Sequence, residues 1–180
     1  MRAEVMTLGT PNPRQREFLA CEKKYVAFGG ARGGGKSWAV RCKAKLLALR
    51  YAGIRILLVR RSLAELEANH LAFLRQELAD VAEYRAGERQ FRFCNGSVLQ
   101  FGYCGCDRDL DRYQGAEYDV IFLDEATANM DKASSQQILS QLLQTDGLTV
   151  ISIEHKVSPE ILPLYDTILE LKDKRLVERA

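Results

Sequence analysis

Two stretches of the chain hold residue types that can do chemistry together. The first is GGARGGGKS, residues 29–37. Gly30, Gly35, Lys36 and Ser37 satisfy the phosphate-loop pattern, and Arg32, Gly33 and Gly34 complete the turn between them. Glycines let consecutive backbone N–H groups turn inward around a phosphate, where side chains would clash. A helix starting at such a turn presents its positive end to the same anion. Lys36 would reach the terminal phosphates of a nucleotide, and the Ser37 hydroxyl is a ligand for Mg²⁺. The second stretch is IFLDEATANMD, residues 121–131, in which an apolar run meets Asp124 and Glu125. Acids at the end of a buried strand are costly unless something uses them. Beside a phosphate loop they have a use. Asp124 would hold the Mg²⁺ shell, usually through water, and Glu125 would orient and polarise an attacking water. A Glu directly after the Asp favours hydrolysis over phosphoryl transfer. Helix N-termini also favour acids, so the pair gains its meaning from the loop.

These residues need elements to position them. KYVAFGG is a short apolar strand running into the loop, and the residues from Ser37 to about Ala52 suit a helix. IRILLVRR is a nearly continuous apolar run, which predicts a parallel strand covered on both faces. Ser62 and Glu65 form a capping box for a helix whose buried stripe is Leu63, Leu66, Leu74 and Leu78. RQFRFCNGSVLQFGY alternates around Asn95-Gly96, a two-residue hairpin signal inserted near 90–103. YDVIFLDEA and LTVISIE are further buried strands, separated by a helix over 132–144 with Ile138, Leu139, Leu142 and Leu143 on one face. YDTILELK and RLVER form a closing hairpin. Strands alternating with helices make the chain α/β: a three-layer sandwich on a mostly parallel sheet.

Composition excludes more than it suggests. With 180 residues, 47% hydrophobic and 28% charged, the chain has the size and make-up of one globular domain. A net charge of +2 does not by itself argue for nucleic acid or membrane. No apolar run reaches membrane-spanning length and the first residues lack a signal-peptide core, so a cytosolic protein is expected. Five cysteines show no staple-like spacing, and Cys104-x-Cys106 lacks a second pair for zinc. Arg41, Lys43, Lys45, Arg60 and Arg61 are basic residues that could meet DNA phosphates. Arg41, Lys43 and Lys45 do not share one helical face, which favours a solvated surface instead.

PNPRQREFL, GGARGGGKS, ILLVRRS and DRYQGAEYDVIFLDEAT together resemble the N-terminal ATPase of the large terminase subunit of tailed bacteriophages, over residues 11 to about 127. The resemblance implies a phosphate-loop ATPase that binds ATP and Mg²⁺ and drives DNA into capsids. Its implied partners are double-stranded DNA, a portal, a small terminase and further copies of the chain, in a host cytoplasm. It implies that Gln15 meets the adenine edge, with a solvated helix glutamine as the plain alternative. Arg32, Arg60, Arg61 and Arg112 become candidates for sensing the γ-phosphate or acting as an arginine finger, with surface ion pairs as the alternative.

From Asp124 onward the pattern changes. LDEATANMDKASSQQILSQL, GLTVISIEHK and LYDTILELKDKRLVE are similar to the C-terminal end of an ABC-transporter nucleotide-binding domain. That similarity implies that His155 contacts the γ-phosphate and that Asp131 lies at a dimer interface. The Leu-Ser-Gly-Gly-Gln signature of that family is missing, and DRDLDRYQGAEYD stands before the acidic strand instead. The expectation is therefore one ATPase domain over 1–180, terminase-like to 127 and ABC-like from 124, without a nuclease domain. Its competing roles are a packaging motor, a transporter ATPase subunit, and a chimeric fold with weak nucleotide binding. Its catalytic set is Lys36, Glu125 and His155, its nucleotide contacts are Gln15, Gly30, Arg32, Gly33, Gly34, Gly35, Lys36 and Ser37, and its metal ligands are Ser37 and Asp124.

Overall fold

Strands apolar on both faces can only be buried on both faces, and they occupy the middle of the sheet. The structure is a computed structural model that describes residues 9–30, 34–104, 117–128, 130–154, 158–172 and 175–179. Its strands are β1 (Tyr25–Gly30), β2 (Arg55–Arg60), β3 (Ala82–Arg85), β4 (Gln90–Phe93), β5 (Val98–Tyr103), β6 (Val120–Asp124), β7 (Thr149–Ile153), β8 (Thr167–Lys172) and β9 (Arg175–Arg179). Among the described residues they form one sheet in the order β3-β4-β5-β2-β6-β7-β1-β8-β9. The pairs from β5 through β8 are parallel, while β3-β4, β4-β5 and β8-β9 are antiparallel. β7 therefore lies between β6 and β1, the middle position its apolar character fits.

The helices are α1 (Pro13–Ala20), α2 (Lys36–Arg50), α3 (Leu63–Leu66), α4 (Ala72–Glu77) and α5 (Lys132–Leu142). The two-residue period of a strand sends alternate side chains to opposite layers. Ile56 and Leu58 join a core with Phe18, Val40, Leu66 and Leu74 from α1 to α4. Leu57 and Val59 join a second core with Leu139 of α5, Leu143 and Tyr165. Three layers follow directly. Among the described residues no helix is long and apolar enough to cross a membrane.

Several details depart from the sequence expectations. Arg41, Lys43 and Lys45 are not a solvated or DNA-facing surface, because α2 is packed around most of its circumference and all three are buried. Each has a partner there. Lys43 Nζ donates to the carbonyls of Phe18 at 2.9 Å and Leu19 at 3.3 Å, and also to that of Cys21, which caps the C-terminal end of α1. Lys45 pairs with Glu77 at 2.6 Å, and Arg41 donates to the Asn69 carbonyl and lies over the Phe73 ring. Leu63 does not join the buried stripe, being 42% exposed at the first position of α3. Ser62 does cap α3 through the Glu65 N–H, but the Glu65 carboxylate turns to Arg60 and Arg61, so the reciprocal half of the box is not made.

The hairpin near 90–103 closes with three residues rather than two. Phe93 N–H donates to the Ser97 carbonyl across Cys94-Asn95-Gly96, with Gly96 at φ +84°. A left-handed third residue is the usual solution for that loop length. The second strand of the hairpin, β5, also pairs in parallel with β2, and β3 adds a strand beyond β4. Between α3 and α4 lies a π turn, Glu67–Leu71, where the Ala72 N–H reaches the Glu67 carbonyl.

Candidate functional site

In an open parallel sheet, ligands bind outside the carboxyl ends of the strands. Here Gly30, Arg60, Asp124 and Ile153 end β1, β2, β6 and β7 at one edge. The register sets Arg60 beside Asp124 and Asp124 beside Ile153. A cavity of about 500 Å³ opens there, lined by Gly34, Gly35, Lys36, Ser37, Arg60, Asp124 and Glu125 among others.

The loop side is built for close backbone approach. Gly35 is the N-cap residue of α2 at φ +72°, and a Cβ there would lie 2.6 Å from the Gln15 side-chain nitrogen. Gln15 is itself held by α1. Its Oε1 accepts from the Asn12 N–H at 2.9 Å, closing a capping box, and its Nε2 donates to the Gly35 carbonyl at 3.3 Å. Gln15 is buried against the loop, unlike a solvated helix glutamine. Lys36 Nζ donates to the Gly30 carbonyl at 2.8 Å, bridging the two ends of the loop. Burial pushes the Lys36 ammonium down, against the pull of Glu125 and Asp124. Arg32, Gly33, Arg112, His155 and Cys106 lie outside the described residues.

The acidic side is more tightly wired. Asp124 is 1% exposed. Its Oδ2 accepts from Ser37 Oγ at 3.1 Å, from Arg60 Nη1 at 2.5 Å and from His70 Nε2 at 2.8 Å. Burial pushes the Asp124 carboxyl up, but His70, Arg60 and Ser37 outweigh it and hold the group below its ordinary range. Burial pushes the His70 imidazole down, and its Nε2, facing a carboxylate oxygen that can only accept, is the donor. Glu125 is the other kind of acid. It sits at φ +53°, a left-handed conformation that carries strain in a residue with a Cβ, and its N–H bonds the Ile153 carbonyl at 2.9 Å. Its carboxylate meets Arg60 at 3.5 Å and borders two cavities, the one above and a second of about 440 Å³ toward Thr127, Gln136 and Glu154.

The donor chemistry fits Mg²⁺. That ion takes hard oxygen ligands, keeps several waters and uses few protein groups. One hydroxyl and one carboxylate, 3.1 Å apart at the mouth of a phosphate loop, suit it.

The structure thus brings Gln15, Gly30, Gly34, Gly35, Lys36, Ser37, Asp124 and Glu125 to one edge. Arg60 belongs there too, buried between Asp124, Glu125 and Glu65 rather than paired at the surface. Arg61 instead pairs with its helical neighbour Glu65. Asp131 has a local task, capping α5 through the Ser134 N–H at 2.9 Å. His70 was missed by the sequence reading. Its signal was present: four residues after Leu66 and four before Leu74, it fills a gap in the apolar stripe of its helix.

Residues 27–165 match the family model for the terminase large subunit, T4likevirus-type, N-terminal. The match spans residues 124–127, where the sequence suggested a junction, and lends no support to an ABC-like second half. No curated protein sequence matches the chain. Among solved structures, the large terminase of a thermophilic bacteriophage superposes with a TM-score of 0.61 at 14% identity, covering 78% of this chain and 38% of its own. The Thermus phage P74-26 large terminase ATPase domain gives 0.63 at 18%, covering 86% and 68%. The N-terminal domain of the DNA packaging ATPase from bacteriophage phi29 gives 0.56 at 20%, covering 94% and 95%. At these identities the shared property is the fold, and this chain spans well under half of the first of these proteins.

Proposed function

The chain belongs to the terminase large subunit family, as a T4likevirus-type N-terminal region, and from that premise we propose that it binds Mg-ATP and hydrolyses it to drive DNA packaging. One observation carries the reading: Ser37 of the phosphate loop and Asp124 of the acidic strand meet at 3.1 Å, with Glu125 beside them at the mouth of a cavity. The large terminase of the thermophilic bacteriophage, a structural relative, has been solved with ADP and with ATP-gamma-S.

Each residue then has a task. The backbone of Gly30, Arg32, Gly33, Gly34 and Gly35 cradles the phosphates, and the start of α2 adds its positive end. Lys36 leaves the Gly30 carbonyl for phosphate oxygens, a short move for a flexible ammonium. Ser37 and Asp124 would hold Mg²⁺, which would supply charge neutralisation at the phosphates when bound. Glu125 accepts hydrogen bonds from the attacking water and aims it. Gln15 keeps one amide hydrogen for the adenine edge while the other holds Gly35. His155, on the segment after β7, is assigned to the γ-phosphate. Duplex DNA, a portal, a small terminase and further copies of the chain in a host cytoplasm are the partners this role requires.

The test is ATP turnover by the purified chain with and without duplex DNA, with Lys36→Ala as control. We expect turnover that DNA raises, and a folded Lys36→Ala that neither binds Mg-ATP tightly nor turns it over. Equal turnover in the variant would overturn the phosphate-loop assignment. Turnover indifferent to DNA would leave an ATPase and remove the motor.

A further inference from the structure

Building on the assignment of Asp124 to Mg²⁺, we propose that His70 is a positioning residue for that carboxylate. Its Nε2–H pins Asp124 through one oxygen, Oδ2, and so presents the other, Oδ1, to the water shell of the metal.

The geometry of one atom is the starting point. Ser37, Arg60 and His70 all donate to Oδ2 of Asp124. A carboxylate has two oxygens and room for about four donors. Sending all three to one oxygen fixes that atom, and among the described residues no hydrogen bond reaches Oδ1. The three donors differ in what else they do. Ser37 is itself a proposed metal ligand, and Arg60 also binds Glu125 and Glu65. Among the described residues the His70 side chain makes its hydrogen bond to Asp124 and to no other group.

The backbone is shaped to deliver it. His70 sits in the π turn Glu67–Leu71, and that wider turn puts the adjacent residues His70 and Leu71 both into the core, 0% and 1% exposed. Single π turns inside helices recur at functional sites. Neighbours brace the turn. The Asn69 side chain donates to the Glu65 carbonyl at 2.9 Å, and its own carbonyl accepts from Arg41 of α2, the helix that carries Ser37.

A purely structural residue would be expected to look different. The Nδ1 atom of His70 is buried without a partner. An unmet buried polar atom carries a desolvation cost, which an apolar side chain at this position would avoid. Packing alone does not call for an imidazole here, whereas aiming a carboxylate does. Hydrogen-bond partners behind metal-binding groups orient them in this way, and their loss weakens metal affinity about 10–100-fold.

The experiment uses the full chain with Mn²⁺ as the probe, titrated by electron paramagnetic resonance in the presence of a non-hydrolysable ATP analogue. Thermal unfolding is recorded beside it. His70→Ala should weaken Mn²⁺ binding about 10–100-fold. His70→Gln, whose amide nitrogen reaches the same place, should recover most of the loss. His70→Leu fills the space without a donor and should behave as His70→Ala, which covers the case in which the alanine variant does not fold. If the donor-less variants fold and bind Mn²⁺ like the parent while Asp124→Asn loses it, the proposal is overturned and the assignment of Asp124 stands. Equal weakening in His70→Leu and His70→Gln would also overturn it, since shape rather than the hydrogen bond would then matter. If Asp124→Asn binds Mn²⁺ like the parent, the assignment of Asp124 fails and the role of His70 falls with it.

Discussion

Asp124 and Glu125 are neighbours in the chain and opposites in the fold. On the Asp124 side, α2, β2 and the π turn converge, and a carboxylate with almost no exposure is held by Ser37, Arg60 and His70. On the Glu125 side the chain turns left-handed, a long ion pair reaches the carboxylate, and two cavities border it. Beyond it lies another acid, Glu154, whose described partner is the Thr127 hydroxyl at 3.5 Å. Under the proposed function this difference would serve two needs of one site: an acid that fixes a metal should not move, and an acid that aims water must face open space.

The contrast can be broken most forcefully at Asp124. Asp124→Ala removes the buried acceptor shared by Arg60, His70 and Ser37, and losing one partner of a buried pair costs about 3–5 kcal/mol. Urea unfolding should show that loss; a change below about 1 kcal/mol would mean that the surrounded acid is not integral to the core. Next comes Glu125→Gln, which keeps size and removes only the base. Turnover should fall about 100-fold or more, with ATP still bound, as measured by steady-state kinetics and calorimetry. Stability should stay within about 1 kcal/mol, since the ion pair lost is long at 3.5 Å and the amide oxygen of Gln can still accept from Arg60.

Glu154 sharpens the comparison through pH. Burial raises its carboxyl from the ordinary 4.5 to about 7, with the Thr127 hydroxyl pulling the other way. Between those values the folded chain holds a proton that the unfolded chain has released. Its contribution therefore makes stability fall as pH rises from about 4.5 to about 7 and level off above. Glu154→Gln should flatten that slope and be more stable at alkaline pH by on the order of 1–2 kcal/mol. Unfolding midpoints across the pH range provide the check. The smallest effect belongs to the strained backbone. Glu125→Gly removes a left-handed penalty of about 1–2 kcal/mol but adds chain entropy, so stability should hold or rise by up to about 1 kcal/mol while turnover is lost. A clear loss of stability would show that the Glu125 side chain supports the fold.

Much of this architecture can be read before folding. The glycines around Lys36, the doubly apolar runs of β2, β6 and β7, and the Asn95-Gly96 turn carry local signals; the strands land where these point, and the turn falls in the expected hairpin with a loop one residue longer. Lys43 carries no such signal, and that of His70 marks only a buried position. A lysine in a helix looks solvated unless the carbonyls at the end of α1 are known to lie above it. A histidine in an apolar stripe looks like filler unless the partner strand is known to end in Asp124. Glu125 gives no sign of its positive φ, because the turn after β6 depends on the Ile153 carbonyl from a strand far along the chain.

By itself, the amino-acid sequence determined the phosphate loop, the acidic strand, the α/β class and the buried character of the central strands. These rest on backbone conformation and hydrophobic period, which act over a few residues. Only the tertiary structure decided that Ser37, Arg60 and His70 share one oxygen of Asp124 and that α2 buries its basic residues. Those outcomes depend on distances between residues tens of positions apart, and burial then turns ordinary polar side chains into a fixed network, because an unpaired polar group in the core is too costly to keep.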